Sequence, residues 1–170
     1  MKVRRYWIIV FIFLLFFGFS ANRSYTENLI EKILLKAIPE ELKNIDCPFY
    51  ITFKAHIEAG NNIYRSDSLL IKYRLIGDNG YLSNWYQYSI PKGQARSDVF
   101  RRKIDPAAIA EKSDIKNNPT LRVDGDTAYY KGWSAVELVY QDRYRKVHKE
   151  YSNKAQFNIE CKVFHSIEIK

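Results

Sequence analysis

Between Phe49 and Glu58 apolar and polar residues alternate almost without fault. Phe49, Ile51, Phe53, Ala55 and Ile57 fall on one side, and Tyr50, Thr52, Lys54, His56 and Glu58 on the other. A period of two marks a strand with one buried face. Gly60-Asn61-Asn62 breaks the run, and residues 68–76 repeat it with Leu69, Ile71, Tyr73 and Leu75 inward and Lys72 and Arg74 outward. Asp78-Asn79-Gly80 is a turn signal, and a third strand is expected from Tyr81 to Ile90. A fourth, short strand fits Val99 to Ile104. Others are expected at Leu121–Val123, at Ala128–Trp133, and at 135–141 with Val136, Leu138 and Tyr140 on one side. The charged segment Arg143 to Asn153 reads as a hairpin tip. The clearest strand is the last, 155–169, where Ala155, Phe157, Ile159, Cys161, Val163, Ile167 and Ile169 share one register.

Two stretches depart from this period. Ser24-Tyr25-Thr26-Glu27 has the form of a capping box, and Leu29, Ile30, Ile33, Leu34, Ala37 and Ile38 follow at helical spacing. An amphipathic helix is therefore expected over 24–38, ended by Pro39, with a further turn over Glu40 to Lys43. Its mixed polar face of Glu27, Glu31, Lys32 and Lys36 suits docking on the domain better than lying on a membrane. Asp105-Pro106 places an N-cap before a proline, so a short helix is expected over Ala107 to Lys112. Short strands with turns every 8–15 residues predict a mainly β fold: an antiparallel sandwich or barrel-like domain preceded by the helix. The alternative is an α+β layout, with a curved antiparallel sheet packed on that helix. The organisation expected is a leader over 1–20, helix and linker over 21–46, and a single β-rich domain over 47–170.

The first residues set the compartment. Met1-Lys2-Val3-Arg4-Arg5 runs into twelve apolar residues, Tyr6 to Phe17, and then into Gly18-Phe19-Ser20-Ala21. This is the form of an export signal, with Gly18 and Ser20 at the small positions for cleavage after Ser20. The rival is an uncleaved anchor holding the protein to the membrane through residues 6–19. The run is shorter than the ~18–20 residues that span a bilayer. No cysteine follows it to carry a lipid. The expectation is a periplasmic or secreted protein.

Removing the leader takes away Lys2, Arg4 and Arg5, lowering the net charge from +8 to +5. A moderate excess of cations favours acidic protein partners or anionic envelope surfaces. Nucleic acid is not expected, because no recognition module is present. The exported part keeps both cysteines, Cys47 and Cys161, each in the apolar register of its strand. An even count in an oxidising compartment predicts a disulfide, tying the first strand of the β-rich domain to its last.

Candidate chemistry is sparse. His56 and His148 lie on polar faces, and His165 sits in the apolar register as a core histidine. No HxH or HExxH spacing is present, so neither metal nor cofactor is expected. Ser66-Asp67-Ser68 lacks the elbow that exposes a nucleophile, and Asp124-Gly125-Asp126 lacks the further ligands of a Ca²⁺ loop. Both read as turns. Tyr73-Arg74-Leu75-Ile76-Gly77 followed by Trp85 resembles the middle strands of fibronectin-type sandwiches, a short match that assigns no family. Two basic clusters remain: Arg101-Arg102-Lys103, and Arg143-Tyr144-Arg145-Lys146 continuing through His148 to Lys149 and Tyr151. Cations interleaved with tyrosine can grip an acidic protein, a phosphate-bearing glycolipid or a sugar acid. Arg143, Tyr144, Arg145, Lys146 and Lys149 form the candidate contact site. The reading is an exported, non-catalytic binding protein. The alternatives are a membrane-anchored subunit of an envelope complex and a small hydrolase or sugar-binding enzyme.

Overall fold

Alternation becomes two packed sheets in the computed structural model, which describes residues 29–61, 63, 68–112 and 120–162. The strands are β1 (Ile30–Ile38), β2 (Glu41–Asp46), β3 (Phe49–Ala59), β4 (Ser68–Gly77), β5 (Tyr86–Pro91) and β6 (Ala95–Ile104). After helix α1 (Pro106–Lys112) come β7 (Leu121–Asp124), β8 (Thr127–Gln141), β9 (Val147–Tyr151) and β10 (Ala155–Lys162). One sheet has the order β1-β3-β6. The other has the order β2-β10-β8-β4-β5, with β7 and β9 also paired to β8. All pairings are antiparallel except that of β2 with β10. The fold is a mainly β sandwich, as the period of two implies.

The core lies between the sheets. Phe53 of β3 and Phe157 of β10 meet edge to face at 5.7 Å across the gap. Ile51, Ile57, Ile71, Leu75, Val136 and Leu138 fill the layer around them, all buried. Each such side chain contributes roughly 1.5–3 kcal/mol by leaving water. Gly132 lies opposite Phe157 in the β8–β10 register, and a Cβ there would meet the ring at 2.4 Å. The phenyl group therefore packs on bare backbone.

The helix expected over 24–38 is corrected: residues 30–38 form strand β1, paired along β3, and residues 24–28 lie outside the described residues. The cause is a bulge between Ile30 and Lys32. The extra residue stretches the apolar spacing from two to three, so that Ile30, Ile33 and Ala37 imitate a helical face. The turn expected at Glu40 to Lys43 is likewise strand, β2. Two strands expected at 128–133 and 135–141 are one, the fifteen-residue β8. The helix after Asp105 is present, and Asp105 Oδ1 accepts a hydrogen bond from the Ala108 amide at 3.3 Å.

Cys47 and Cys161 are joined by a disulfide, their Cα atoms 5.6 Å apart. Cys47 lies in the corner between β2 and β3, so the bridge fastens that corner to β10. Beside β1, Asn153 acts as a substitute strand. Its Oδ1 accepts the Leu35 amide and its Nδ2 donates to the Leu35 carbonyl, both at 2.9 Å. The outward backbone groups of Leu35, on the edge of β1 away from β3, are thereby satisfied without another strand.

Candidate functional site

The charged segment forms the β8–β9 hairpin, and one carboxylate organises its tip. Asp142 Oδ1 accepts the amides of Tyr144 and Lys146 at 2.8 and 2.9 Å, and Oδ2 lies 2.8 Å from His148 Nε2. The His148 ring stacks on Tyr140 at 5.1 Å, which fixes its orientation. The His148 hydrogen bond, opposed by partial desolvation and helped by the two amides, holds the Asp142 carboxyl below the usual carboxylate range. Arg145 sits at φ 64°, the left-handed conformation that closes a turn and seldom accepts a side chain. Tyr144 is 73% exposed, with the Arg143 guanidinium 4.6 Å from its ring centre. Arg143, Tyr144, Arg145 and Lys146 therefore come together on a braced, protruding loop.

Lys149 does not join them at the tip. It stands on the outer face of the larger sheet and pairs with Glu137, which Arg74 also holds at 2.5 Å. Burial pushes the Glu137 carboxyl up, but the bonds from Lys149 and Arg74 outweigh it and hold the group below its ordinary range. Trp85 caps Arg74 at 4.4 Å, and Tyr151 lies 5.5 Å from the Lys149 ammonium. This aromatic and ionic patch adjoins the hairpin through β9. The sequence drew attention to Arg74 and Trp85 only through a resemblance of fold and did not join Glu137 to them, because Arg74 and Glu137 meet by cross-strand pairing 63 positions apart.

The other basic cluster separates. Arg101 is exposed near Tyr50, and Lys103 pairs loosely with Asp105 at 3.7 Å. Arg102 is buried among the core residues. It forms an ion pair with Asp78 at 2.7 Å and donates to the Trp133 carbonyl and Ser134 hydroxyl. Tyr130 donates to the same aspartate at 2.5 Å, and burial together with that bond raises its phenol well above the usual value. Parity with Phe100 and Ile104 was the available signal for this inward position. His56 lies on an outer face 3.3 Å from Ser97, and His165 falls outside the described residues. Among the described residues no three His, Cys, Asp or Glu side chains gather as metal ligands would.

The fold and these contacts define a disulfide-bridged β-sandwich carrying a braced basic–aromatic hairpin. No known protein family and no curated protein matches the chain. Among solved structures it is similar to the CARDB domain of a Pyrococcus furiosus protein, solved in complex with di-metal ions. The TM-score is 0.41 and the identity 13%, over 81% of this chain and 98% of that one. It is also similar to the C-terminal domain of wzt, with a TM-score of 0.34 and 10% identity over 81% of this chain and 73% of that one. Likenesses at this level assign no site, and the reading of this chain rests on its own residues.

Proposed function

We propose that the chain is an exported, non-catalytic sandwich that works by binding an acidic protein surface of the cell envelope. The observation that carries this is the hairpin tip, where Asp142 fixes the backbone beneath Arg143, Tyr144, Arg145 and Lys146. A pre-ordered loop loses little entropy on docking, so its exposed tyrosine and guanidinium groups can act as anchors. Lys149 and Tyr151 extend the contact along β9. Asp142, Glu137, Asp98 and Asp78 are each already engaged by a cation, a phenol or an imidazole, which supports a binding rather than a proton-transferring role. Replacing Tyr144 with a photo-crosslinking phenylalanine tests the reading. The expected result is one discrete acidic adduct in envelope preparations; labelling spread over many abundant proteins would refute it.

The apolar run of residues 6–17 favours a second reading, a subunit kept at the membrane by its leader. Sequencing the N-terminus of the exported protein separates the two. A start at Ala21 or Asn22 removes the anchor, and a start at Met1 retains it.

A further inference from the structure

The outer face of the smaller sheet alternates cations with large exposed apolar groups. In cross-strand register Leu34 lies beside His56 and Ser97, Lys36 beside Lys54 and Val99, and Ile38 beside Thr52 and Arg101. Tyr50 and Lys103 form the next row. Val99 is 62% exposed, Tyr50 58%, Leu34 42% and Ile38 37%. Along the middle of this face runs an open groove of about 740 Å³, lined in part by Leu34, Lys36, Lys54 and Val99.

Lys36 and Lys54 stand directly opposite each other, a pairing that repels unless an anion lies between or above them. The acids near them do not neutralise the face. Glu58 is beside His56 at one end and Asp105 beside Lys103 at the other, while Asp98 is held by Arg96 and Tyr73. Among the described residues lining the groove, Glu40 is then the acid left against Lys36 and Lys54.

We infer that this face seats on an anionic phospholipid surface. Its apolar groups are spread singly among the cations, whereas a protein interface gathers its anchors into a desolvated centre. A fluid headgroup layer admits such a pattern, taking up the aliphatic side chains and tyrosine while phosphates meet the lysines and arginines. The path of the chain agrees. Twelve residues separate the apolar run ending at Phe17 from Ile30, which begins β1 of this sheet. That length spans at most about 40 Å, so a leader held in or passing a bilayer leaves this sheet within reach of it.

An environment-sensitive fluorophore on Val99→Cys tests the inference in the full chain, with the same label on Tyr144→Cys as the control. Vesicles of phosphatidylglycerol and phosphatidylcholine should shift the label at 99 to the blue, and pure phosphatidylcholine should not. The shift should vanish in about 1 M salt, where screening acts over about 3 Å. Lys36→Glu with Lys54→Glu should weaken the response on the order of 600-fold, at roughly fivefold for each unit of charge changed near an anionic surface. Both sites are exposed, and an unchanged near-ultraviolet spectrum reports that the variants fold. Vesicle-bound protein with no shift at 99, or a shift at 99 on acidic protein but not on lipid, overturns the inference. The label at 144 reads the hairpin separately, so the two proposals fail independently.

Discussion

Single side chains set the geometry at both polar centres of the molecule. Asp142 accepts hydrogen bonds from two backbone amides and contacts His148 at the hairpin tip. Because its folded carboxyl titrates below the unfolded value, the stabilisation is present above the ordinary aspartate range and is lost as pH falls through the lowered value. Amide shifts of Tyr144 and Lys146 should therefore move together, with a midpoint below that of a free aspartate. A midpoint at or above it would show that the tip is not braced in this way. The sequence exposed the tip's cations but not this carboxylate, since nothing in Asp142-Arg143-Tyr144 distinguishes a bracing acid from a solvated one. Arg102 illustrates the opposite case. It looks solvated within Arg101-Arg102-Lys103, yet a strand sends alternate residues inward, and the Asp78 carboxylate and the backbone carbonyls of Asp78 and Trp133 receive it in the core.

Among the elements, legibility followed how cleanly one face was buried. β3, β4 and β10 alternate because each has a core side and a wet side. β8 loses alternation over residues 134–138, all buried, because Arg74 and Lys149 cover Glu137 on the outer face. One strand reads as two because the inward positions at the join are Gly132 and Ser134, which carry no large apolar side chain to mark the register. β1 was disguised by its bulge, and its free edge depends on Asn153. Asn153→Leu should leave the Leu35 amide and carbonyl without their partners, at about 1–3 kcal/mol for a buried group deprived of its bond. Hydrogen exchange at Leu35 should accelerate while exchange in the centre of β3 and β8 follows only global stability. An unchanged Leu35 rate would mean that the asparagine does not secure this edge.

At the scale of the whole molecule, the disulfide joins positions 114 residues apart. Closing so long a loop restricts the unfolded chain, and its removal by Cys47→Ser with Cys161→Ser should cost about 2–5 kcal/mol. Equilibrium denaturation of the wild type and the double variant measures this, and equal midpoints would show that the bridge adds no stability. The pairing was legible from the even count of cysteines, although Cys47 lies in a corner and not in a strand, whereas the order of strands was not, since β2 reaches β10 across most of the chain. The same scaffold carries the braced hairpin on β8 and β9, and the proposed function rests on that hairpin as a binding site. Its most direct test is Arg145→Glu with Lys146→Glu, followed by titration against the acidic partner captured through Tyr144. Binding should be lost while the melting temperature stays nearly unchanged, because both side chains lie exposed on the tip. Undiminished binding by this folded variant would contradict the proposed function.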